Sequence, residues 1–208
     1  MPSAKQYEAK PLPFAKPLVG ISAKTIEIHH DRLYAGYVSK MMEIATKLAS
    51  SFENSEFLGS ANQSYSELRA LRDGETFATN GVYLHESYFN ALGGDGVPSG
   101  SIIEAIVKKW GSVEAFVGIF SASGMAMRGW VVLAWDTRVG RLKLYGSDSH
   151  NQGGVWGCIP IIVLDVYEHA YFIDYGSDRK AYIADFWKNL NWSAINAIYE
   201  KARTISFS

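Results

Sequence analysis

The stretch Ile161-Ile162-Val163-Leu164-Asp165-Val166-Tyr167-Glu168-His169-Ala170-Tyr171 organises the reading of the chain. After Pro160 it opens with a short β-branched apolar run, the pattern of a buried strand. Two acids and a histidine then arrive where the strand should stop. Asp165 and His169 are four residues apart, so one turn of helix would bring them to the same face. A carboxylate and an imidazole beside a buried strand are costly unless something pairs with them. A metal ion would satisfy both. The plainer alternative is that Asp165 caps the helix that follows it.

Working outward, the strand is preceded by a polar, glycine-rich loop, Gly146 to Gly157. Before it come Trp130–Trp135, an apolar strand, a turn at Asp136–Gly140, and Arg141–Tyr145, which alternates like a half-exposed strand. Ser101–Trp110 and Ser112–Met127 read as helices, the second capped by Ser112. Two more helices are expected near Asp178–Lys188 and Trp192–Arg203. Further upstream, Gly93-Gly94-Asp95-Gly96-Val97-Pro98 is the clearest break in the chain. A long helix is expected from Ala23 to Phe52, with Ile28, Tyr37, Met41 and Ala45 inward. A loop over Asn54–Asn62, a short helix over Ser66–Arg72 ended by Asp73-Gly74, and a second long helix from Glu75 to Leu92 complete that half. The fold class is α+β: an N-terminal antiparallel helical hairpin (1–95) and a C-terminal α/β domain (96–208) with a small three-stranded antiparallel sheet. Residues 1–20 hold four of the six prolines and read as an extended surface arm.

The chain has 208 residues, 48% of them hydrophobic, which is enough for a real core. A formal net charge of -1 gives no electrostatic case for nucleic acid or an acidic membrane surface. No apolar run is long enough to span a bilayer, and residues 1–10 lack the apolar core of a secretory signal. The expected location is cytoplasmic. The single cysteine, Cys158, excludes an internal disulfide framework and a Cys-based zinc site, and reads as a small core residue.

Metal ligands must come from five histidines: His29, His30, His85, His150 and His169. His29, Leu33 and Tyr37 share a stripe at i, i+4, i+8. His85 lies mid-helix among Tyr83, Leu84 and Tyr88, where a helix–helix contact is the competing reading. Three imidazoles and one carboxylate without thiolate suit iron or manganese better than structural zinc. The residues by themselves leave the choice among the five open. A mononuclear iron oxygenase or metal hydrolase uses a related ligand set.

At this point a family resemblance enters. Asp165-Val166-Tyr167-Glu168-His169-Ala170-Tyr171 is similar to the D-x-W-E-H-A-Y signature of the iron/manganese superoxide dismutases. Phe186-Trp187 and Asn191-Trp192 resemble that family's C-terminal FW and NW pairs. Leu12-Pro13-Phe14 and Ile21–Asp31 resemble its N-terminal helix entry, and Gly93–Gly100 its interdomain link. The resemblance implies one iron or manganese ion per subunit held by His29, His85, Asp165 and His169, redox cycling on superoxide, and a homodimer, with a tetramer as the alternative. It implies that Tyr37 is a gateway tyrosine relaying protons, that Trp130 lines the pocket, and that Glu168 reaches the partner's metal site. Arg179 is a candidate for drawing the anion inward.

The departures from the family pattern are specific. Gly81 stands where many iron enzymes carry a glutamine that bonds the metal's solvent, so His150 is assigned that role, with Gln152 as the fallback. Leu33 and Phe172 replace a histidine and a tyrosine that pair across the dimer interface. Losing both members leaves an apolar seam, whereas losing one would orphan a polar group at about 1–3 kcal/mol. Tyr167 replaces the signature tryptophan and Val132 a second pocket aromatic. Val163 sits where manganese-preferring relatives often have glycine, which leans the expectation to iron or to use of both metals. A metal-binding relative with weakened catalysis is the other reading these changes allow.

Overall fold

The structure, a computed structural model, describes residues 7–207. The first six residues of the expected arm lie outside that range. Helices α1 (Ala23–Glu27), α2 (Ala35–Ser51), α3 (Ser55–Gly59) and α4 (Glu67–Asn90) build the N-terminal half. Helices α5 (Ser101–Trp110) and α6 (Val113–Ala126) lead into strands β1 (Trp130–Asp136), β2 (Arg141–Ser147) and β3 (Cys158–Asp165). A 3-10 turn (Glu168–Ala170) and helices α7 (Phe172–Tyr175), α8 (Arg179–Lys188) and α9 (Trp192–Ala202) complete the chain. None of the described helices is long and apolar enough to cross a membrane.

The sheet has the order β2-β1-β3, and both pairings are antiparallel. The β1–β3 register is set by Trp130 opposite Asp165 and Val132 opposite Val163. It shifts between Leu133 and Ala134, where Pro160 takes a place in the ladder. A proline has no N–H to give a ladder, so a bulge is where a strand tolerates one. Ile161 through Asp165 are all buried, which accounts for their unbroken apolar run. One hydrophobic cluster links both halves, from Tyr34, Val82 and Phe89 to Trp130, Ile162, Phe186 and Ile195.

Side-chain caps start the C-terminal helices: Ser112 accepts from Ala115 N–H, Asp178 from Ala181 N–H and Asn191 from Ala194 N–H. Three expectations for the N-terminal half need correction. The first long helix is not uniform, because Ile28–Tyr34 is π-helical. Its buried apolar positions are Ile26, Tyr34, Val38, Ile44 and Leu48, while the expected Ile28, Tyr37, Met41 and Ala45 are half-buried. Asp73-Gly74 ends no helix; α4 runs through it. A Cβ at Gly74 would lie 3.2 Å from Ile44 Cδ1, so the glycine lets α2 and α4 approach closely. Finally, the expected loop over Asn54–Asn62 contains α3, capped by Asn54. In the other half Cys158 is half-buried rather than a core residue, its Sγ 3.6 Å from the Tyr145 hydroxyl.

Candidate metal centre

Four elements deliver the four residues that the resemblance implies as ligands. The π-helical segment carries His29, α4 carries His85, the end of β3 carries Asp165, and the 3-10 turn carries His169. Their donor atoms all lie within 4.8 Å of one another. Asp165 Oδ2 is the meeting point. His29 Nε2 and His169 Nε2 each lie 3.1 Å from it, and His85 Nε2 lies 3.6 Å from it. His29, His85 and Asp165 are fully buried, while the His169 side chain is 24% exposed.

The expected helical turn between Asp165 and His169 is absent. The chain bends at Val166–Tyr167 and enters the short 3-10 turn, yet the two side chains still meet. Asp165 uses its oxygens separately. Oδ1 accepts from Tyr167 N–H (2.9 Å), a local turn bond, and Oδ2 faces the imidazoles. The Asp165 carbonyl accepts from the Tyr182 hydroxyl (2.7 Å), which lies 3.2 Å from the Tyr88 hydroxyl. Sequence reasoning did not single out Tyr182 or Tyr88. Tyr88 had a readable signal, since it lies three residues after His85 on the same helix, and its ring packs 5.1 Å from that of His29.

The donor set suits a cation. His85 Nδ1–H donates to the Gly81 carbonyl (2.6 Å), which fixes the tautomer and turns the Nε2 lone pair into the cluster. Among the described residues that Nε2 has no hydrogen-bond partner and is fully buried, as is His29 Nδ1. Two ligands each about 2.1 Å from one ion are roughly 3.0 Å apart at a right angle and 3.6 Å apart at 120°. The separations around Asp165 Oδ2 span that range. Burial, then the neighbouring His29, lowers the His85 imidazole to about 3, and burial lowers His29 as well. Burial would raise the Asp165 carboxyl, but His169 and His29 outweigh it and hold the acid below the usual carboxylate range. Neutral His29 and His85 beside an ionised carboxylate are in the protonation states that metal ligation requires, whereas Asp165 outweighs burial and raises His169, whose proton a bound cation would displace.

Tyr37, His150, Trp130 and Tyr167 surround the cluster. Tyr37 packs 5.3 Å from the His85 ring and 4.7 Å from that of His150. His150 is buried and accepts at Nδ1 from Trp130 Nε1–H (2.9 Å). Burial lowers it to about 4, so near neutral pH it carries its single proton on Nε2. Tyr167 stacks on His169 at 5.4 Å, and burial followed by Asp165 raises its phenol to about 12. Phe77, which sequence reasoning missed, closes on His150 at 4.5 Å. It lies eight residues before His85, two turns along the same helix. Gln152 is exposed on the outer loop, whereas His150 is inside. Glu168 is exposed. Arg179 is half-buried and committed to the Tyr171 hydroxyl (3.1 Å) and the Met127 carbonyl (2.7 Å). A cavity of about 450 Å³ lies behind Trp130 and His150, walled by Val132, Tyr83 and Trp156, and none of the four cluster residues lines it.

Residues 98–198 match the family described as iron/manganese superoxide dismutases, C-terminal domain. A protein of Aquifex pyrophilus named an Fe superoxide dismutase is 44% identical over 200 residues, covering 94% of this chain and 93% of its own. One of Cupriavidus metallidurans with the same name is 37% identical over 191 residues, covering 89% and 92%. A protein of Haloferax volcanii named an Mn superoxide dismutase is 35% identical over 201 residues, covering 94% and 96%. Likeness at this level along nearly the whole length, joined to three imidazoles and a carboxylate closing on one point, means that the chain belongs to the iron/manganese superoxide dismutase family.

Proposed function

We propose that His29, His85, Asp165 and His169 hold one iron or manganese ion and that the chain dismutes superoxide there. The observation that carries the reading is the buried convergence of three imidazole Nε2 atoms on Asp165 Oδ2, with His85 Nε2 otherwise unpartnered. A redox-active ion held there would supply the one-electron chemistry, in which superoxide gives up an electron in one half-reaction and takes one, with two protons, in the other. The products are dioxygen and hydrogen peroxide.

The protein's own side chains set the conditions for that chemistry. The Asp165 carboxylate lowers the net charge of the site and favours the more oxidised state of a bound ion. His150, neutral with its proton on Nε2, is the solvent partner that Gly81 cannot supply. Tyr37, whose phenol is raised by burial and then by Asp165, keeps its proton at neutral pH and can pass it inward from Oη. The N-terminal hairpin domain (1–95) contributes two ligands and the C-terminal domain (96–208) the other two. Iron is the preferred metal, on Val163 and on the names of the two Fe relatives. Arg179 adds positive charge from its structural seat. The cytoplasm, where a lone cysteine stays reduced, is the location that fits.

The same reading includes a homodimer. Glu168 is exposed beside His169, and Phe172 and Ile173 expose 55% and 53% of their surface. Neighbouring exposed apolar side chains of this kind mark an association surface. Elemental analysis alongside a superoxide-decay assay on the purified protein tests the proposal. Near-stoichiometric iron or manganese with rapid decay is expected; a fully metallated preparation that leaves superoxide untouched would overturn it.

A further inference from the structure

On the far side of the two ligand-bearing helices the N-terminal arm is fastened through Lys10, with Tyr7 beside it. The Lys10 N–H donates to the Tyr34 hydroxyl (2.9 Å), and its carbonyl lies 2.8 Å from His30 Nε2. Its ammonium pairs with Glu86 Oε2 at 2.5 Å. Glu86 Oε1 accepts from the hydroxyls of Tyr7 and Tyr34, each at 2.8 Å. The Glu86 side chain is only 10% exposed, although that of Lys10 is 59% exposed. The carboxylate is therefore nearly out of water, matched by two phenols and an ammonium.

The neighbours of these residues give the arrangement its meaning. His30 follows His29, and Glu86 follows His85. One residue along a helix points about 100° away, so the clasp residues share backbone with the ligands while facing elsewhere. The main chain and side chain of Lys10 thus tie together the turn that carries one imidazole and the turn that carries another. Tyr34, from the π-helical segment, closes the loop by bonding both Lys10 and Glu86.

We infer that the Lys10–Tyr34–Glu86 clasp, completed by Tyr7 and His30, is a positioning device that holds His29 and His85 at their metal-binding separation and slows release of the ion. This inference rests on the metal-centre reading above. The clasp residues act through the two helices rather than on the reacting atoms. With the clasp broken, the turns bearing the two imidazoles can part, and the ion leaves more readily.

The test is metal retention by the whole, metal-loaded protein. Purified protein is incubated with excess EDTA at neutral pH, and the metal remaining on it is followed in time. Tyr34→Phe and Glu86→Leu should release metal roughly tenfold faster or more, the range seen when groups supporting metal ligands are removed. Glu86→Gln can still accept from both tyrosines and should recover most of the retention. Lys188→Met, which breaks an exposed ion pair on α8, should behave as the unaltered chain. Release rates within twofold of the unaltered chain for both Tyr34→Phe and Glu86→Leu would overturn the clasp. Should Glu86→Leu not fold, Tyr34→Phe and Lys10→Met decide the matter in the same way. An unaltered chain that takes up no metal would instead refute the metal centre itself, so the two failures are distinct.

Discussion

Replacing Gly81 by alanine sets two effects of opposite sign against each other. Gly81 lies inside α4 with a backbone that any residue adopts, one turn before His85. Helix propensity alone favours the change by about 1 kcal/mol. A Cβ there, however, would lie 2.9 Å from Tyr37 Cδ1 and 3.0 Å from Cγ. Those atoms are near the root of the ring, so rotating its tip relieves nothing. Either the side chain leaves its rotamer or the helices part, and such overpacking costs about 1–3 kcal/mol. The net effect on stability should therefore fall between about zero and 2 kcal/mol of destabilisation, a drop of at most about 8 °C in melting temperature for a chain of this size. Turnover should suffer more. The Tyr37 ring rests on both His85 and His150, and a displacement near 1 Å in a catalytic group can cost about a hundredfold. Thermal unfolding and superoxide decay per bound metal, measured on the same preparation, separate the two effects. Full metal content with turnover reduced tenfold or more is the expected result. A Gly81→Ala protein stabilised by about 1 kcal/mol with unchanged turnover would show that the Tyr37 ring is neither pinned nor needed. The same contact means that a glutamine at this position would require Tyr37 to move, because its Cβ would meet the ring first.

His85→Ala should abolish stoichiometric metal and activity together, as read by elemental analysis and superoxide decay; a variant that kept both would remove His85 from the ligand set. His150→Ala should keep its metal but turn over more slowly with a shifted reduction potential, and an unchanged rate would take His150 out of the site. The metal-free protein should lose thermal stability as pH falls from about 6.5 toward 4, because His85 (near 3) and His150 (near 4), both lowered mainly by burial, bind protons in the unfolded chain but not in the folded one. His29, also lowered by burial, adds to the loss, while His169 acts in the opposite sense, since Asp165 outweighs burial and raises it; it is one group against three, and a melting temperature that rises on acidification over that window would contradict this balance. Phe172→Glu should shift the sedimentation coefficient from dimer to monomer, and a dimer that persisted would place the interface elsewhere.

The C-terminal half could be read closely from local signals. Ser112, Asp178 and Asn191 are capping residues, Asp136–Gly140 is turn chemistry, and the strands alternate or run apolar according to how they are covered. Each of those signals acts within a few residues, so no tertiary knowledge is needed. The N-terminal half was harder. Asp73-Gly74 looks like a helix stop, and only the close approach of Ile44 shows why a glycine belongs mid-helix there. That imidazoles and a carboxylate on apolar backgrounds need a partner was legible as chemistry, while the choice of His29, His85, Asp165 and His169 among the candidates came from the family resemblance. Their common meeting point at Asp165 Oδ2 was not legible, since it depends on how four separate elements pack. Tyr88, Tyr182 and Phe77 were missed for a related reason: aromatic residues on apolar faces look alike until packing assigns their neighbours.

The π-helical segment explains how one of those meetings is achieved. His29 and Tyr37 are eight residues apart, and in an unbroken α-helix that spacing leaves two side chains about 80° out of line. A π-helix, whose bonds close one residue further on, advances only roughly 82° per residue. With Ile28–Tyr34 in that form, the turning from His29 to Tyr37 comes within about 10° of whole turns. Eight residues then do the work of seven, and both rings reach His85, at 5.0 and 5.3 Å. The stripe at His29, Leu33 and Tyr37 thus brings its two end members together through a helix of different pitch from the one the spacing suggests. Leu33, midway along it, stays half-buried. Straightening the segment toward α geometry without removing a residue would swing Tyr37 by nearly a quarter turn, away from His85, even if every ligand stayed in place.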